Sequence, residues 1–226
     1  MYYSTAKAGL AGFDCAVHPD WRATFTNASD DNRIAMLTPV AITLHVRLQD
    51  VSATLDWVVP PGAATDAEST SLRDQMHPAM EQTLHGFVQF WAPFVNGSTI
   101  PGNTSGFTVT HAPTTFTLHA ASNGTDLTEV FSNDLLLERY DVIMGDGRSV
   151  KFEPTYKATA QGLLVERFLA HIQQMGDPPG PVQEFHVGIE YQTVEGFPIP
   201  RQLNMQVVGT GTVNVSLDGC TVIHQQ

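Results

Sequence analysis

The sequence predicts an α+β fold: a large antiparallel sheet with one apolar face, covered by one wide-striped helix and a small N-terminal one. Two patterns carry this reading. Stretches along much of the chain alternate apolar and polar with a period of two, and one stretch carries a strong helical spacing instead. Hydrophobic residues make up 42% of the chain, enough for a sizeable core, and no linker or repeat divides it, so residues 1–226 read as a single domain.

The elements follow in order. Tyr2–Leu10 is a short helix candidate ended by Gly12, and "FDCAV" is a strand. "HPDWRATF" turns into a short helix or loop. From Pro39, Ile42, Leu44, Val46 and Leu48 alternate with polar residues, and Val51, Ala53, Leu55, Trp57 and Val59 continue the strand to "PPG". Leu72, Met76, Met80, Leu84, Phe87, Trp91 and Phe94 recur every three or four residues, one stripe of a helix. Ser71 with Asp74 resembles a capping box. Pro78 predicts a short first piece and a main helix starting near it, and Pro93 predicts the end.

Everything after Gly106 reads as strand, with "GDGR" a tight turn and 163–174 a strand rather than a helix. "EFHVGIEYQTV" alternates most cleanly, with Phe185, Val187, Ile189 and Tyr191 on one side. The chain ends in "VEGFPIPRQLNMQVVGTGTVNVSLDGCTV", two strands joined at Gly209-Thr210-Gly211 after a turn carrying Pro198 and Pro200. Apolar residues there are odd-numbered up to Leu217, but Cys220 and Val222 are even. A bulge at Asp218-Gly219 would absorb that slip and keep Cys220 on the apolar face.

Composition narrows the function. A net charge of −12 repels phosphate backbones and anionic lipid headgroups, which argues against nucleic acid and membrane-surface partners. No run approaches the roughly 18 apolar residues of a membrane span. "MYYSTAKAGLAGF" lacks the basic end and apolar core of a signal peptide. Two cysteines without a CxxC pair argue against redox catalysis and a cysteine-rich zinc site. Cys15 and Cys220 are either a disulfide or two buried thiols. Five sequons, at Asn27, Asn96, Asn103, Asn123 and Asn214, sit mostly in turn-like stretches, where Asn, Ser and Thr collect anyway.

Candidate chemistry is sparse. His77, Glu81 and His85 fall at i, i+4 and i+8, a possible metal-ligand stripe, but HExxH spacing is missing and no fourth ligand is evident. His45, His111, His119 and His186 share the polar parity of strands, where histidines are ordinarily half-exposed. No Gly-x-Ser-x-Gly elbow occurs, and the glycine pairs near Gly145 and Gly209 read as hairpin turns. Glu129, Glu153, Glu166 and Glu190 lie on separate strands, and whether any two converge as an acid/base pair is left to the fold. Phe87, Phe90, Trp91 and Phe94 either fill a core or line an apolar cavity between helix and sheet.

The residues Glu195, Gly196, Phe197 and Pro198, placed before a hairpin with small turn residues, resemble the C-terminal part of the lipoprotein-carrier superfamily, the LolA-like outer-membrane lipoprotein-sorting proteins. The chain is similar to bacterial relatives of that group rather than to a carrier proper. The resemblance implies an incomplete β-barrel, a large curved antiparallel sheet lidded by helices. It further implies a periplasmic or cell-envelope location, a removed signal peptide and no catalysis. On this reading the protein is a non-enzymatic monomer without cofactor. It would bind a lipid, acyl chain or lipidated partner between Met80, Leu84, Phe87, Trp91 and Phe94 of the helix and Phe185, Val187, Ile189 and Tyr191 of the sheet. The alternatives are a metal-binding protein or enzyme using His77, Glu81 and His85, and a structural or adhesive β domain without a cavity.

Overall fold

The computed structural model describes residues 9–27, 30–96, 106–122, 124–160, 162–209 and 211–225. Its elements are β1 (Leu10–Pro19), α1 (Trp21–Thr24), α2 (Asp31–Leu37), β2 (Ala41–Arg47), β3 (Ser52–Val58) and α3 (Ala67–Asn96). Nine strands follow: β4 (Thr108–His111), β5 (Thr115–Ser122), β6 (Thr125–Ser132), β7 (Leu137–Ile143), β8 (Arg148–Thr159), β9 (Gly162–Gln174), β10 (Gln183–Val194), β11 (Phe197–Val207) and β12 (Gly211–His224). They form one unclosed sheet of 12 strands in the order β3-β2-β1-β12-β11-β10-β9-β8-β7-β6-β5-β4. The large antiparallel sheet is as the alternation predicts, and residues 163–174 lie in a strand. The expected helix at Tyr2–Leu10 lies outside the described residues except for its end, where Leu10 instead opens β1.

The chain groups into two compact units. The first comprises Met1–Gly97, Ile189–Asn204 and Thr212–Gln226; the second comprises Ser98–Gly188 and Met205–Gly211. In the first, Phe13, Cys15 and Val17 of β1 lie opposite Val46, Leu44 and Ile42 of β2, and all six are buried. The strand expected to run unbroken from Ile42 to Val59 is a hairpin. Apolar residues switch from even to odd between Leu48 and Val51, and a straight strand would turn the second set to the opposite face. The chain reverses there, with Val51 at φ 48°, and Leu44 meets Leu55.

Helix α3 corrects three expectations. It is continuous, it passes through both Pro78 and Pro93, and it starts before Ser71. Its cap is Asp66, whose carboxylate accepts from the Ser69 backbone N–H at 2.9 Å and the Ser69 hydroxyl at 2.8 Å. Both prolines are exposed. Each removes one donor, freeing the carbonyls of Asp74 and Gln89, and those residues also face solvent, where water takes the donor's place. Packing of the buried stripe outweighs the lost bonds.

Arg73 gave no signal in the sequence, yet it is only 5% exposed. Its guanidinium donates to the Met36 carbonyl at 3.1 and 3.2 Å, near the end of α2, and to the Ala64 carbonyl at 2.6 Å. The cation thus ties α2, the loop before α3 and α3 together. It also sits where a helix C-terminus favours positive charge.

Glu195 and Gly196, with φ of 50° and 87°, form a two-residue turn between β10 and β11, the backbone a type I′ hairpin needs. Pro198 and Pro200 are therefore inside β11, not in a turn, and both are buried. The Gln192 side-chain amide donates to the Leu217 carbonyl at 2.9 Å and to the Pro200 carbonyl at 3.4 Å, so a side chain serves acceptors beside a strand that is short of donors. The slip inferred from parity is present. Asp14 opposes Thr221 while Ala16 opposes Asp218, and Gly219 has φ 54°. Across this bulge Cys15 and Cys220 form a disulfide, with Cα atoms 4.1 Å apart.

In the second unit Leu118, Phe131, Val142, Val150, Phe152, Phe168 and Val187 are buried. The opposite parity carries Asp141, Lys151, His171 and Glu184, aligned side by side on β7 to β10. Opposite charges so placed fix register as well as stability.

Candidate functional site

The stripe expected to line an apolar cavity is buried. Met80, Leu84, Phe87, Trp91 and Phe94 are at most 6% exposed, and Ile189 is 4% exposed. Trp91 stacks on Phe87 at 5.9 Å, meets Phe13 edge-on at 6.1 Å and donates its indole N–H to the Tyr191 hydroxyl at 3.0 Å. Burial pushes the Tyr191 phenol well above its ordinary range, so it stays protonated. Phe185 and Val187 belong to the second unit. Open grooves mark the first unit among the described residues; Met80, Leu84, Phe87, Trp91 and Phe94 do not line the larger of two, and Leu72, at the start of the stripe, lines the smaller.

The larger groove, about 450 Å³, runs between α3 and the start of β3. Its walls are Ser52, Ala53, Thr54, His77, Pro78, Glu81, Gln82 and His85, and most of their accessible surface is carbon. The spacing that suggested metal ligands thus lines a groove, because residues four apart share a helix face. The three side chains do different things. His77 stacks on Trp57 at 5.3 Å, with its Nε2 3.5 Å from a Glu81 oxygen. His85 places Nδ1 3.3 Å from both the N–H and the carbonyl oxygen of Ala53, and its Nε2 accepts from the Gln89 amide at 2.9 Å. With Nε2 accepting, Nδ1 carries the ring proton and donates to the Ala53 carbonyl, on the edge strand β3. Among the described residues no three His, Cys, Asp or Glu side chains gather as a metal-ligating group.

The aromatic series behind this groove was not visible in the sequence pattern. Trp57 also meets Trp21 at 6.4 Å, Trp21 meets Phe25 at 6.3 Å, and the Arg33 guanidinium lies 4.8 Å over the Phe25 ring. These contacts join β3, α1 and α2, and only the fold brings them together.

The four strand histidines do not converge. His45 lies between Asp14 at 2.9 Å and Asp56 at 3.1 Å. Partial burial opposes its charge, but hydrogen bonds to the two carboxylates outweigh that and raise its pKa. Asp14 is desolvated as well, yet hydrogen bonds from Arg47 and His45 hold it below the usual range. His119 pairs with Asp126 at 2.9 Å, and His111 packs on Phe116 at 6.3 Å. Glu184 takes hydrogen bonds from His186 at 2.5 Å and His171 at 3.1 Å, which lower its pKa. Each pair is a local surface contact.

Of the sequons, Asn27 is exposed and Asn214 lies on β12. The side chain of Asn96, and Asn103 and Asn123, lie outside the described residues. Among the described residues no helix is long and apolar enough to cross a membrane. No family model matches the chain, and no curated protein sequence matches it. The lipoprotein-carrier resemblance therefore rests on Glu195–Pro198 and the element order alone.

Proposed function

We propose that the protein is a non-enzymatic binding protein of the cell envelope that holds an acyl chain, free or on a lipidated partner, in the groove between α3 and β3. The observation that carries this reading is the groove itself: about 450 Å³ with largely carbon walls, inside the range of small-molecule sites. From His77 to His85 it follows the helix for about 12 Å. About ten buried methylenes would contribute about 8 kcal/mol, the micromolar scale before the costs of ordering are subtracted. His77 and Glu81 give a polar headgroup hydrogen-bonding partners in the same groove. A disulfide between the first and last strands suits an oxidising compartment such as the envelope.

Straight-chain carboxylic acids of increasing length should raise the melting temperature progressively, as any ligand preferring the native state does. Gln82 lines the groove and is exposed, so Gln82→Trp fills the space without disturbing the core, and it should abolish the length dependence. Shifts independent of chain length would reject the proposal. So would stabilisation by Zn²⁺ alone, which would favour the metal-binding alternative at His77, Glu81 and His85.

A further inference from the structure

Glu129 stands on β6 between Leu127 and Phe131 in the alternation, on the parity that carries the apolar face. Its partners across the sheet are Leu118 on β5, which is 3% exposed, and Tyr140 on β7. Its Oε2 is buried, and among the described residues nothing donates a hydrogen bond to it. A carboxylate so placed is costly unless it is protonated or paired. We infer that Glu129 is a proton-operated latch: protonated, it lets β5, β6 and β7 pack as one apolar face, and ionised, it loosens them.

Burial pushes the Glu129 carboxyl up from 4.5 to about 7. Because the folded form holds its proton more tightly, stability is fully present below about pH 4.5 and is lost as the pH rises to and through about 7. The neighbouring groups do not relieve the charge. Tyr140 is the titratable residue facing Glu129 from β7, and its phenol is raised by burial and then by the Glu129 charge itself. On β5 the same face carries Phe116 and Leu118, and beyond them His111 on β4 packs against Phe116. His119, Asp126, Arg139 and Asp141 lie on the other parity, where His119 pairs with Asp126 and Arg139 with Asp141.

Amide hydrogen exchange of the full chain, corrected for the intrinsic rate at each pH, tests the latch. Between pH 5.5 and 8.5 the linkage makes opening of β5–β7 more frequent by severalfold, with about thirtyfold as the upper bound. Glu129→Gln, which cannot ionise, should remove that change and slow exchange at pH 8.5. Glu129→Leu serves the same purpose should the amide variant fold poorly. The His119–Asp126 pair is common to wild type and variants, so its contribution cancels in the comparison. An equal pH effect in wild type and Glu129→Gln, or no pH effect on β5–β7 in the wild type, would overturn the inference.

Discussion

Removing the Cys15–Cys220 disulfide should lower the unfolding free energy by about 5 kcal/mol on the chain-entropy account, and by no less than about 2 if native strain offsets part of it. The bond joins residues 205 apart, so it closes nearly the whole chain into one loop and strongly restricts the unfolded ensemble. Whole-domain stabilities are about 5–15 kcal/mol, so this one bond is a large share of the total. It also crosses the β1–β12 ladder at the Gly219 bulge, where two residues face one and the ladder is weakest. Urea unfolding of oxidised protein, reduced protein and the Cys15→Ala/Cys220→Ala variant measures the effect. The reduced and double-alanine proteins should share one lowered midpoint. Midpoints equal to that of the oxidised protein would show that the strands hold themselves.

Trp91→Ala should cost about 3–5 kcal/mol. The indole is fully buried, lies against Phe87 and Phe13, and donates to Tyr191. A sealed core cannot collapse to fill a void of that size. Trp91→Phe keeps most of the ring contacts and loses the hydrogen bond, so a loss of about 1 kcal/mol is expected beyond the packing change. Denaturant midpoints for both variants check this. Because the stripe lies apart from the groove, acyl binding per folded molecule should survive Trp91→Phe. A cavity lined by the stripe would instead make Trp91→Ala cheap and damage binding.

The same residues show what a sequence can and cannot carry. Period-two alternation placed most strands, including β9, because a half-buried strand must write its two faces into alternate positions. The parity slip before Cys220 announced the bulge for the same reason. The parity switch between Leu48 and Val51 carried equal information about the β2–β3 hairpin, but both sets are apolar and it reads as continuation unless the face is tracked. Pro78 and Pro93 misled because their cost is local, whereas the packing that overrides it comes in part from Phe13 and Tyr191, distant in sequence. Arg73 was silent because its partners are backbone carbonyls, which every residue has. The groove was half legible: spacing put His77, Glu81 and His85 on one helix face, but only the fold brings Ser52, Ala53 and Thr54 opposite them. The histidine–carboxylate pairs need cross-strand register, which composition does not contain.

The acyl-binding reading turns on which residues feel the ligand. All nine histidines carry ring protons observable by NMR, and His77 and His85 line the groove. Titrating a long-chain carboxylic acid into the oxidised protein should shift the His77 and His85 resonances in a saturable way. Those of His119, His171 and His186, in the second unit, should stay in place. Unmoved His77 and His85 resonances, or equal shifts across all nine, would contradict binding in this groove.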